Sequence, residues 1–88
     1  MRPDVDDLIK QTQWKITHNA GHMAWKAGLV RDLSDNMKRA TEALDTEEMQ
    51  RYSGRLVEMA RSLESDRRAL MWEMKLNETL IEIAKVHD

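Results

Sequence analysis

LDTEE, residues 44–48, is the stretch that decides the fold. Asp45 is followed three residues later by Glu48, the spacing of a capping box at the start of a helix. The Asp45 carboxylate suits the free N–H groups of a first turn, and Glu47 and Glu48 suit its positive end. This reading starts a helix at Thr46 and carries it to about Val86. It also ends an earlier helix just before Leu44.

Toward the N-terminus, Pro3 followed by Asp4, Asp6 and Asp7 reads as the first turn of that earlier helix, which should cover about residues 4–43. Two rows of residues alternate along it at spacings of four and three. One row is Ile9, Ile16, Met23, Val30, Met37 and Leu44, all apolar. The other is Val5, Thr12, Asn19, Lys26, Leu33 and Ala40, polar in its middle. Sustained alternation of this kind marks a helix–helix seam, and polar groups in such a seam commonly fix its register. The register also bears on His18–His22, where Asn19 and Gly21 invite a kink. Ile16 and Met23 stay in one row across that stretch, which favours a continuous helix. Gly21 costs such a helix roughly 1 kcal/mol relative to alanine.

Past LDTEE, the stripe of the second helix begins as Met49, Tyr52, Leu56, Met59 and Leu63. It resumes as Leu70, Met74, Ile81 and Ala84 with Leu80 beside it, and its phase is expected to slip near Asp66 and Arg67. Two helices of about forty residues would each run roughly 60 Å at 1.5 Å per residue. The short connection makes them antiparallel neighbours. Residues whose numbers sum to about 90 should then share a level: Trp14 with Leu76, His18 with Trp72, Trp25 with Ser65. The expected fold is therefore all-α, a helical hairpin forming a single domain over 1–88.

Composition agrees. The chain has three glycines, one proline, no phenylalanine and seven methionines, and good helix formers dominate. With no cysteine, disulfides, thiolate metal clusters and cysteine nucleophiles are out, which suits a reducing, cytoplasmic setting. MRPDVDDLIK has no apolar core of a secretory signal. No apolar run reaches the roughly 18–20 residues of a membrane span.

A second face lies off the seam. Trp14, His18, Gly21, Trp25 and Gly28 form one row on helix 1; Ala69, Trp72, Leu76, Leu80 and Ile83 form one on helix 2. Indole supplies apolar area and glycine permits close approach. A hairpin with one seam is short of core, so this face is expected to meet a second copy in an antiparallel four-helix bundle. Two other readings use the same residues. One is a surface kept for a different protein, since tryptophan is common in binding hot spots; the other is the core of a three-helix monomer.

Chemistry finds little support. No glycine-rich phosphate loop and no GxSxG occurs, so no catalytic residue, cofactor or small-molecule substrate is expected. His18 and His22 have the i,i+4 spacing of a metal pair, with Asp66 or Glu73 as the nearest acids across the hairpin. Without an HExxH or ExxH the pair reads as two surface histidines, and no metal is assigned. Lys26 and Gly28 follow His22 at longer spacings than in histidine phosphotransfer modules. Fourteen basic against sixteen acidic residues give a net charge of −2, a poor field for nucleic acid. The alternative worth keeping is an RNA- or DNA-binding regulator using Arg61, Arg68 and Lys75, which recur every seven residues. The leading expectation is a non-enzymatic interaction module: an adaptor, assembly factor or inhibitor, acting as a homodimer through Trp14, His18, Gly21, Trp25, Gly28, Trp72, Leu76 and Ile83. A phage or mobile-element regulator fits that description.

Overall fold

The computed structural model describes residues 3–86, as two α-helices packed side by side. Helix α1 spans Pro3–Glu42 and helix α2 spans Thr46–Val86. The hairpin measures 65 × 15 × 14 Å. Asp4 and Asp6 lie in the first turn of α1 and Glu47 and Glu48 in that of α2, where the helix dipole favours acids. α1 passes Asn19–Gly21 without a break.

The turn is short, three residues between Glu42 and Thr46. Leu44 N–H donates to Thr41 C=O at 3.1 Å and Asp45 N–H donates to Ala40 C=O at 2.9 Å. These two bonds make a Schellman cap, with Leu44 in the left-handed position usually held by glycine, at φ 55°. Asp45 then caps α2, its Oδ1 accepting from Glu48 N–H at 3.2 Å. Glu48 does not complete the box; its carboxylate pairs with Arg51. Leu44 corrects the seam row given above. The cap throws it outward, and it is 81% exposed.

Two hydrogen-bonded clusters fix the antiparallel register. Asn77 Nδ2 donates to Thr12 Oγ1 at 2.7 Å, and Lys26 Nζ reaches Asp66 Oδ2 at 2.7 Å and Ser62 Oγ at 2.6 Å. The sums, 89 for Thr12 with Asn77, 92 for Lys26 with Asp66 and 88 for Lys26 with Ser62, bracket the expected level.

The slip expected in α2 does not occur. Every residue of the row 49, 52, 56, 59, 63, 66, 70, 73, 77, 80, 84 is half-buried, an unbroken alternation of three and four. The row continues through Asp66, Glu73 and Asn77, which an apolar search passes over. Met74, placed in the seam by that search, is exposed. The seam residues of α1 are likewise buried or half-buried from Val5 to Ala40. In heptad letters, Ile9 and Met49 are a positions and Thr12 and Tyr52 are d positions.

The core is thin. Among the described residues Val5 and Ala40 are the buried apolar side chains, and α2 has no buried residue. The most enclosed polar residue is Thr12, 4% exposed, whose hydroxyl donates to Ile9 C=O at 2.9 Å while accepting from Asn77.

Candidate interaction face

Off the seam, the hairpin shows solvent an unusual amount of apolar surface. Trp14, Trp25 and Trp72 are each more than 60% exposed, and Met71, Leu8, Leu76 and Ile83 are also exposed. A monomer rarely leaves three indoles in water without a use for them. Trp14 lies at heptad position f, directly away from the seam. Trp25 and Trp72 are c positions, and Leu76 and Ile83 are g positions, on the flank between seam and back.

Each tryptophan of α1 is held by a histidine one turn away. His18 stacks on Trp14 with ring centroids 4.9 Å apart and planes 7° from parallel. His22 stacks on Trp25 at 5.8 Å and 19°. These contacts cover part of one indole face and restrict the ring. They also give the two histidines an aromatic neighbour, while Asp66, one of the two acids suggested for them beside Glu73, is turned to Lys26. Among the described residues no group of three or more His, Cys, Asp or Glu comes together as a metal set. No helix among them is long and apolar enough to cross a membrane.

The glycines of the face have no packing duty within the hairpin. A Cβ built on Gly21 meets nothing within 4 Å, and one on Gly28 meets only Arg31 Nη2 at 3.9 Å. Between the helices on the same flank runs an open groove, with Trp25, Leu29, Leu33 and Met59 as its apolar lining and Arg55 and Glu58 at its rim. The groove and the exposed Leu8 were missed by searching each helix for tryptophan and glycine. Assigning heptad letters to both helices together would have found them, since Leu8 and Leu29 are g positions.

The basic row is placed differently. Arg61, Arg68 and Lys75 are exposed f positions on the back of α2. Arg68 Nε bonds Glu64 Oε1 at 3.2 Å, and Glu64 also takes two bonds from Arg67, at 2.8 and 2.9 Å. Hydrogen bonds from Arg67, and then from Arg68, hold the Glu64 carboxyl down at about 2. A carboxylate that stays ionised this firmly offsets the positive field of the row.

No family model matches the chain, no curated protein matches it, and no solved structure matches it. The functional reading therefore rests on the face itself.

Proposed function

We propose that the chain is a non-enzymatic protein–protein interaction module, a small adaptor, assembly factor or inhibitor, that works as a homodimer in a four-helix bundle. The observation that carries this reading is three exposed tryptophans on a hairpin whose described residues hold almost no core. Large apolar groups left in water lower the free energy of any association that covers them. Indole does so with little side-chain entropy to lose, which is why it recurs in binding hot spots. The histidine stacks on Trp14 and Trp25 restrict those rings further. The alternative, nucleic-acid binding through Arg61, Arg68 and Lys75, is less well supported, because Glu64 sits among them engaged with Arg67 and Arg68.

The test compares wild-type chain with Trp25→Ala and Trp72→Ala. Light scattering over a wide concentration range gives the mass, and capture from the native host gives the partners. The expected result is a concentration-dependent dimer and loss of association in both variants. Unchanged mass and unchanged capture in both would sink the reading.

A further inference from the structure

The two flanks of the hairpin differ sharply in charge. Over residues 5–29 and 62–86, the half away from the turn, positions c and g number fifteen and include one charged residue, Lys15. Over the same residues, positions b and e on the other flank number fourteen and include six: Asp6, Lys10, Glu64, Arg67, Glu78 and Lys85. About a third of this chain is charged, so fifteen positions with a single charge, eight of them apolar, mark the more weakly hydrated flank. The c and g flank also changes along its length. In the turn half, residues 30–61, six of its eight positions are charged: Asp32, Arg39, Glu48, Arg51, Arg55 and Glu58.

Surface area says how much must be covered. The hairpin exposes 6769 Å², whereas a compact monomer of its 10.3 kDa would expose about 5,400 Å². The radius of gyration is 19.5 Å against about 12 Å for a compact chain of this length. The excess, roughly 1,400 Å², exceeds the ~800 Å² that each partner contributes to a standard interface.

We infer that a second copy of this chain covers the c and g flank, with both turns at the same end and α1 of each copy lying against α2 of the other. This rests on the interaction-module reading and gives its homodimer a face and an alignment. The turns lie together because the flank is apolar only in its distal half. Opposed hairpins in full overlap would set Leu8, Leu76 and Ile83 against the charges of the turn half. Aligned hairpins set Leu8 of one copy level with Ile83 of the other, while in the turn half Asp32 comes level with Glu58 and Arg39 with Arg51 of the copy, so like charges hold the turns apart and confine close contact to the distal half. Side-chain size fits the same alignment. With levels matched, Trp25 comes over Ser65 and Ala69 of the copy, and Trp72 comes over His18. Each indole meets small or flat groups rather than another indole, and Gly21, an f position like Trp14, stays at the back of α1 outside the contact.

The chain has no cysteine, so one Glu47→Cys substitution gives a single spin-label site beside the turn. Pulsed electron–electron distance measurement then reads the alignment. The expected intermolecular distance is on the order of 20–30 Å, set by helix spacings of about 10 Å plus the label arms. Leu76→Glu on the apolar flank should abolish it, and Met74→Glu on the other flank should leave it, with circular dichroism confirming that both remain helical. A distance comparable to the 65 Å length of the hairpin, or dependence on Met74 instead of Leu76, would overturn the arrangement. So would a strictly monomeric mass at high concentration. If that monomer still captured another protein in a Trp25-dependent way, this inference would fail while the interaction-module reading stood. The label distance in the otherwise unaltered chain decides the alignment even if Leu76→Glu unfolds.

Discussion

Lys26 Nζ lies 2.7 Å from Asp66 Oδ2 across the seam, and their side chains are only 14% and 26% exposed. A half-buried ion pair gains less than its geometry suggests, because both charges leave water to form it. Removing one partner is worse than removing both. Lys26→Met or Asp66→Leu alone should cost about 1–2 kcal/mol, reduced from fully buried values by the remaining exposure. The double variant should recover most of that loss or exceed wild type. Urea unfolding of the four proteins measures this, and singles as stable as wild type would show the pair to be idle.

Glu73 occupies a d position between Asp66 and Asn77, and its Oε2 is buried without a hydrogen-bond partner. A buried acceptor left unpaired costs free energy that an apolar group of similar shape does not. Glu73→Leu is therefore expected to raise stability by about 1–2 kcal/mol. Equal or lower stability in urea would mean that this oxygen finds a partner in the assembled protein.

These polar seam residues also show how far the sequence could be read. The hairpin, its turn and its register were legible, because Asp45 caps by a local rule and Ile16 to Met23 keep phase across Gly21. The polar residues of α1 were seen in the seam for the same reason. Their counterparts on α2 were not, since the stripe there was followed by apolarity alone. At Asp66 and Glu73 that rule jumps to the neighbouring apolar residues, and so it took Met74 for a seam residue. Periodicity should outrank polarity when the facing helix offers Thr12, Asn19 and Lys26 at matching levels. Leu44 was misread for a different reason: a Schellman cap reverses the chain one residue earlier than the apolar count suggests. The tryptophan face was legible as a face, but each helix was read separately, so the charge-poor flank shared by both was not seen as one surface.

Leu44 holds φ 55° at the cap, a region that disfavours side chains with a Cβ. It is also mostly exposed, so little packing is lost on truncation. Leu44→Gly removes the strain and adds some unfolded-state entropy, for a net gain of about 0.5–1 kcal/mol. A lower midpoint in thermal unfolding would show that Leu44 makes contacts outside a single hairpin.

Glu64 gives the pH dependence. Its carboxyl is lowered from 4.5 to about 2, first by hydrogen bonds from Arg67. A lowered folded value stabilises the fold above the unfolded value, and that contribution is lost as pH falls from about 4.5 through about 2. The group is half-exposed, so the effect should be small and sensitive to salt. Comparing wild type with Glu64→Gln at low salt, the acid limb of the midpoint curve should be steeper for wild type. The difference should disappear at high salt. A difference that persists there would indicate a partner charge shielded from solvent.

Gly21→Ala separates the hairpin from its assembly. In the isolated hairpin a Cβ at Gly21 meets nothing within 4 Å, so alanine should gain helix propensity, roughly 1 kcal/mol. Gly21 is an f position, like Trp14, and stays at the back of α1 in the aligned dimer, off the covered flank. The gain should therefore be the same at both ends of a dilution series, with the variant melting above wild type at every concentration. Association should raise the stability of both proteins alike. A gain that shrinks or reverses at high concentration would mean that the second copy reaches the back of α1 and not the c and g flank.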